Sequence, residues 1–412
     1  MNENNNNIMN DLKKLIGVYF PAEDSSKFLN DLLKTTEPGA ESSVDLGAES
    51  FALDYELPNG VDYRLLIDRC VTKSETILPE AKFFNLILEL SKSVQAVGEN
   101  DLALELVQDL VNKIESKNEY DLLRADAYLL ISKIYWSQAY WDDCKYYVEE
   151  AIKLFSASPN STGMAKCENM LGTLFGEMGD IVKAEQHFEK ALTYLPEEDD
   201  ELSHSMILTN LGIINTIQGD YEKSIWNYKN ALQKFDSLKS TRYVARTYHN
   251  IGMLYTRMEK YDAALDEFNK CITLSLDNNY ISNCAVAYVG KAFIYTKLKN
   301  SALADAYTDK AMEIACRIND TLSIADIYRI KGLIHKGMDN FQLSEEMFEN
   351  SIRLNRDLNS KLNEAESSIE MGTLLKELQR EEESISYFQS AINYFKDLKD
   401  KNIIAGLVEQ YS

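Results

Sequence analysis

The chain has 412 residues and carries 66 acidic against 43 basic side chains, a formal charge of −23. That surplus repels phosphate backbones and anionic bilayers, which excludes nucleic acid and membrane as main partners, and no apolar run reaches the ~20 residues of a membrane helix. Residues 1–20 lack the charged-then-apolar order of a secretory signal, and the six cysteines form no C-x-x-C pair, so the expectation is a cytoplasmic protein without disulfides, metal or cofactor.

Residues 1–60 stand apart from the rest as a polar, partly disordered segment with short helices. MNENNNN is a polar tract expected to be disordered. Leu12, Leu15, Ile16 and Tyr19 then make one helical stripe, and Phe28, Leu29, Leu32 and Leu33 mark a second short helix within Ser25 to Lys34. Pro38-Gly39 opens a loop rich in Ser, Gly and acid, and Pro58-Asn59-Gly60 marks a turn. The two stripes suit a helical cap over the first exposed face of whatever follows.

A leading cap helix is predicted over 61–80, and from 81 to 400 the chain repeats itself. SHSMILTNLGIINTIQGDYEKSIWNYKNAL is answered forty positions later by YVARTYHNIGMLYTRMEKYDAALDEFNKCI, without insertion or deletion. The same step carries Gly212 to Gly172, Gly252, Ala292, Gly332 and Gly372, carries Tyr228 to Phe188, Phe268, Thr308, Phe348 and Phe388, and carries Ala231 to Ala191, Cys271, Ala311, Ser351 and Ala391. Ala264, Phe268 and Cys271 fall at i, i+4 and i+7 of one helix, and Ile251, Leu254, Tyr255 and Met258 stripe the helix before it. Gly179-Asp180, Gly219-Asp220 and Glu259-Lys260 separate the two helices of a unit. Each unit is therefore a helical hairpin too small to bury its own apolar face, and stacking supplies the core. Residues 401–412 fall where a further first helix would begin and are expected to form a capping helix; Leu407 and Val408 would leave an end on which a second copy could stack.

These columns resemble the tetratricopeptide repeat: a small residue in the first helix, an aromatic three positions later, then a small residue, a large aromatic and another small residue along the second. Gly252, Tyr255, Ala264, Phe268 and Cys271 fill that pattern, as do Gly212, Ser224, Tyr228 and Ala231. The early Trp of the first helix is absent and a helix-ending Pro occurs only at Pro196, so the likeness is to a forty-residue variety. It implies an all-α protein, a right-handed superhelical solenoid of about eight hairpins, with first helices lining a concave groove.

The four histidines, His187, His204, His249 and His335, share no metal or catalytic spacing, and no phosphate loop or nucleophile elbow occurs, so no enzyme is expected. The resemblance places Thr209, Asn210, Ile213, Arg246, His249, Asn250, Met253, Arg257, Phe293 and Arg329 in the groove. Amides there suit an extended backbone, arginines suit acidic groups, and Met or Phe suits apolar side chains. The expected function is a scaffold or adaptor that binds a peptide or protein segment, acidic in character. The alternative is a peptide-responsive regulator resembling the tetratricopeptide pheromone receptors of Gram-positive bacteria, which would switch partner binding or oligomeric state.

Overall fold

The computed structural model describes residues 2–21, 24–25, 27–29, 32, 63–96, 99–138, 140–158, 160–195, 200–278, 280–318, 320–358 and 360–397. The expected loop at 38–60 and the C-terminal cap at 401–412 lie outside them. The helices divide between two compact units, one of residues 1–137 and 142–158, the other of residues 138–141 and 159–412.

The first unit holds α1 (Asn2–Tyr19), α2 (Tyr63–Ile77), α3 (Glu80–Ala96), α4 (Asn100–Ile114), a 3-10 turn at Asn118–Tyr120, α5 (Asp121–Ser137) and α6 (Trp141–Ala157). The polar tract expected to be disordered instead forms the first turns of α1. Leu12 and Ile16 of α1, with Phe20 just after it, pack with Phe28 and Leu32 and with Leu66, Cys70, Leu86 and Leu90 of α2 and α3. α1 thus packs against α2 and α3.

Among the described residues the second unit contains six successive hairpins: α7 (Ser161–Glu177) with α8 (Ile181–Tyr194), α9 (Glu201–Gln218) with α10 (Tyr221–Ser237), α11 (Thr241–Arg257) with α12 (Tyr261–Asp277), α13 (Ile281–Lys297) with α14 (Ser301–Arg317), α15 (Thr321–Gly337) with α16 (Phe341–Asp357), and α17 (Lys361–Glu377) with α18 (Glu381–Asp397). The breaks between helices fall where the sequence places them. Asp180, Asp220, Asn300 and Asp320 stand just before helices, and each side chain accepts a hydrogen bond from the backbone N–H three residues on, which satisfies an otherwise orphaned donor.

The forty-residue columns are the packing code. A Cβ added at Gly172, Gly212, Gly252 or Gly332 would lie between 2.5 and 2.7 Å from the ring of Phe188, Tyr228, Phe268 or Phe348. The first helix must therefore present bare backbone to the aromatic of the second. Where the small residue grows to Ala292, the aromatic column shrinks to Thr308, so the volume of the pair is shared differently. Ser224 and Ser344 in second helices donate to the carbonyls of Gly212 and Gly332 at 2.9 and 2.8 Å, which ties the two helices at the point of closest approach.

Hairpin turns follow the same step. Gly179 and Gly219 sit at φ +81°, and Glu259, Lys299, Asp339 and Gln379 hold the left-handed conformation at φ between +56° and +60°. Only the two glycines do so without steric cost.

Candidate functional site

In the second unit each first helix packs on its own partner and also touches the first helices of adjacent hairpins. That arrangement puts α7, α9, α11, α13, α15 and α17 on the inner curve and leaves the second helices outside. At the ends of this unit the hydroxyl of Tyr394 in α18 donates to the carbonyl of Met178, just after α7, at 3.2 Å. Residues 216 positions apart thus meet, and Glu177 and Glu366, from opposite ends of the unit, both act on Tyr394.

The sequence-derived site residues divide into three sets. Ile213, Met253 and Phe293 occupy one forty-residue column on α9, α11 and α13; Met253 is exposed and the other two are half-buried. They form an apolar row, and Lys297 extends over the Phe293 ring at 5.1 Å. Thr209 and the asparagines are held within the wall. Thr209 is buried and donates to the carbonyl of Ser205 at 2.9 Å, while Asn210 donates from Nδ2 to Asn169 Oδ1 at 2.9 Å, linking α9 to α7. Asn250 is 8% exposed, and its Nδ2 is enclosed without a partner. Position 290, in the same column as these asparagines, abuts the Phe268 ring, which shows that the column runs along the junction between hairpins.

The charged set is the most informative. Arg246 retains exposed surface but makes no ion pair among the described residues, and the protein around it, followed by the neighbouring Arg242, pushes its guanidinium below its ordinary value; Tyr243 and Glu177 act in the opposite sense. His249, one turn on, is pushed down to about 4, first by burial and then by Arg246. It is a neutral imidazole at pH 7, with Nδ1 enclosed and unpaired and its ring 5.6 Å from that of Phe268. Arg257 is exposed at the end of α11. Arg329 is different, because Asp326 and Glu366 lie 3.4 and 3.6 Å from its Nη2. Its counter-charges belong to the same wall.

Several residues on the curve were not singled out from the sequence. Glu177 is raised by desolvation, an effect that Arg246 partly offsets. Asp326 is raised by burial and by Glu366, against the pull of Arg329. Tyr394 is raised by burial and by the carboxylates Glu366 and Glu177. Asp326 and Glu366 stand two and three forty-residue steps beyond Arg246, and Glu177 two steps before Arg257, so extending the columns finds them. Nothing periodic points to Tyr394, which lies on a second helix.

Two other features do not belong to this surface. Glu168, buried in α7, is satisfied by His187 Nδ1 and Lys190 Nζ, both at 2.7 Å, and serves to lock α7 to α8. A cavity of about 520 Å³ opens between Asp236, Thr241, Val244, Tyr248, Lys270 and Asp277, and none of the ten site residues expected from the sequence lines it. Among the described residues no group of three or more His, Cys, Asp or Glu side chains is arranged to hold a metal, and no helix is long and apolar enough to cross a membrane.

Comparison with known proteins agrees with this geometry. The tetratricopeptide repeat family model matches residues 203–277. A stretch of 123 residues, 29% of this chain, is 26% identical to the anaphase-promoting complex subunit cut9 of Schizosaccharomyces pombe; the matched stretch spans 17% of that subunit's length. Among solved structures, a Rap protein complexed with Competence and Sporulation Factor superposes with a TM-score of 0.64 at 15% identity, over 82% of this chain and 93% of that one. Aspartyl phosphate phosphatase F of Bacillus subtilis superposes with a TM-score of 0.54 at 13% identity, over 97% of this chain and 94% of that one. The apo form of RapI gives 0.53 at 16% identity, over 67% of this chain and 98% of that one. At these identities the likeness to the solved structures is one of fold.

Proposed function

We propose, from the premise that this chain is a repeat protein of the tetratricopeptide superfamily and a protein-interaction scaffold, that it binds an extended peptide or partner segment along the inner curve of its second unit. The observation that carries this reading is the row Ile213, Met253 and Phe293, repeated on three adjacent first helices and left partly open to solvent, with Arg246 unpaired beside it. An extended chain presents side chains and backbone groups at regular intervals, and a surface built by forty-residue repetition meets it with equivalent positions at regular intervals. Apolar side chains of the segment would lie on the row, and an acidic group would face the arginine. The work is binding rather than catalysis.

The test is a pull-down from source lysate with the wild-type chain beside Arg246→Ala/Asn250→Ala, read by mass spectrometry. Species lost only from the double variant, with helicity and melting unchanged, place binding on the inner curve. Species retained equally move it to the outer helices or the N-terminal helices.

A second reading has a specific observation in its favour. The contact of Tyr394 with Met178 joins the last and first hairpins of the second unit, so a ligand on the curve between them could alter that closure and make the protein a peptide-responsive regulator. The fold likeness to a Rap protein complexed with Competence and Sporulation Factor is compatible with it. A short peptide that binds would then change the small-angle scattering profile or the oligomeric state, and an unchanged profile at saturation would remove this reading while leaving the scaffold intact.

A further inference from the structure

Charge is distributed unevenly along the inner curve. The forty-residue column through Arg246 reads Lys166, Met206, Arg246, Val286, Asp326 and Glu366 from α7 to α17. Its cations lie on the early hairpins and its carboxylates on the late ones. On the late side Asp326, Glu366 and Glu370 all act on Arg329, and three carboxylates against one guanidinium leave that wall negative. On the early side Arg246 has no carboxylate in contact among the described residues; the groups that act on it are Tyr243, Arg242 and Glu177, with the neutral His249 one turn on. Asn250, four residues on and on the same helical face, is 8% exposed and has a donor with no partner. A guanidinium lacking a counterion is completed by an anion, and its planar fork matches a carboxylate.

We propose that the inner curve reads a single carboxylate, seated on Arg246 of α11, and rejects a second one placed toward α15 and α17. This deepens the peptide-binding reading and rests on it. The attraction comes from Arg246 and the rejection from Asp326, Glu366 and Glu370, so specificity arises from both a favourable and an unfavourable element. Arg329 does not serve as a second anion seat, because its own wall already neutralises it. The carboxylate could be an Asp or Glu side chain or the free C-terminus of a peptide, and the two sources share the chemistry that Arg246 recognises.

The test uses synthetic heptapeptide pools with one position fixed at a time, each prepared as the free acid and as the C-terminal amide, with binding measured by competition fluorescence anisotropy. Pools with Asp or Glu fixed at one position, or free acids as against amides, should bind the wild-type chain about tenfold more tightly than their Asn, Gln or amidated counterparts. Loss of binding on amidation identifies the C-terminus as the source; indifference to amidation with an Asp or Glu preference identifies a side chain. The preference should vanish in Arg246→Gln, return in part in Arg246→Lys, and persist in Arg329→Gln. A second fixed acid at the other end of the peptide should weaken binding, and Asp326→Asn/Glu366→Gln should relieve the loss. Peptides that bind the wild type without regard to charge or amidation overturn this proposal and leave the peptide reading standing. Failure of every pool to bind the wild type overturns both, and neither of these outcomes depends on the folding of a variant.

Discussion

Replacing Gly252 by Ala tests whether the forty-residue columns are a packing code. Alanine is the better helix former by about 1 kcal/mol, so on propensity alone the variant would gain stability. The new Cβ would lie 2.7 Å from Phe268 Cε1, 2.8 Å from Cδ1 and 3.0 Å from Cζ, whereas carbons in van der Waals contact stand about 3.5–4.0 Å apart. Relief requires a shift of roughly 1 Å, and Phe268 has nowhere to go: it is fully buried, and a Cβ at Gly290 on α13 would meet the tip of its ring, Cζ, at 2.4 Å. Overpacking of this kind costs about 1–3 kcal/mol, and a ring approached closely by the backbone of two helices belongs at the upper end, which leaves a net loss of about 2 kcal/mol after the helix gain. For a unit of this size the melting temperature should fall by roughly 4–8 °C.

The compensating change is already written in the chain. Ala292 is paired with Thr308 in the next hairpin, so Phe268→Thr should be less damaging in a Gly252→Ala background than alone. Phe268→Thr by itself leaves a void and should cost about 3–5 kcal/mol, and the double variant should recover about 1–2 kcal/mol relative to additivity. Urea unfolding followed by circular dichroism measures all three, provided the transitions remain single. An unchanged or raised stability in Gly252→Ala, or strict additivity in the double variant, would refute the claim that glycine is present to admit the ring.

Titration, turn geometry and closure can each be tested at named residues. His249 titrates at about 4 in the folded chain against an ordinary 6.5, so between those values the unfolded chain binds more protons and stability declines as pH falls, by up to about 3 kcal/mol. His249→Gln should flatten that limb of the melting curve against pH; Glu177 and Asp326, both raised, act in the opposite sense in wild type and variant alike, and parallel curves would refute the assignment. Asp339→Gly, at φ +58°, should raise the urea midpoint by the equivalent of about 0.5–1 kcal/mol, and Gly219→Ala, at φ +81°, should lower it by a similar amount. Tyr394→Phe removes the hydrogen bond to Met178, and hydrogen exchange should quicken at the end of α7 and in α18 while α10–α13 are unaffected; uniform acceleration would show that the tyrosine supports its own hairpin rather than the closure.

What could be read from the sequence is what recurs. The hairpins, their breaks, the small residue facing the aromatic and the N-terminal apolar stripe each depend on contacts between positions at fixed separation, and a single chain repeats them often enough to be compared with itself. Arg246 and Met253 lie on the open side of α11 for the same reason. Asn250 marks the limit of that logic: its column is one register step from the open surface, and only the packing of position 290 on Phe268 shows that the amide lies in the junction between hairpins. Charge compensation is a further step removed. Arg246 and Arg329 look alike in sequence, yet one has Asp326 and Glu366 within 3.6 Å and the other has no ion partner among the described residues, because the columns beside them change from basic to acidic between α11 and α15. The contact between Tyr394 and Met178 lies beyond periodic reasoning altogether. It depends on the sum of small rotations between successive hairpins, and no local pattern encodes a sum. Yet that contact sets which charges share one space, including Glu177, Glu366 and Tyr394 itself. The repeat therefore specifies the wall of the inner curve, whereas its closure, and with it the electrostatic character of that surface, is a property of the whole unit.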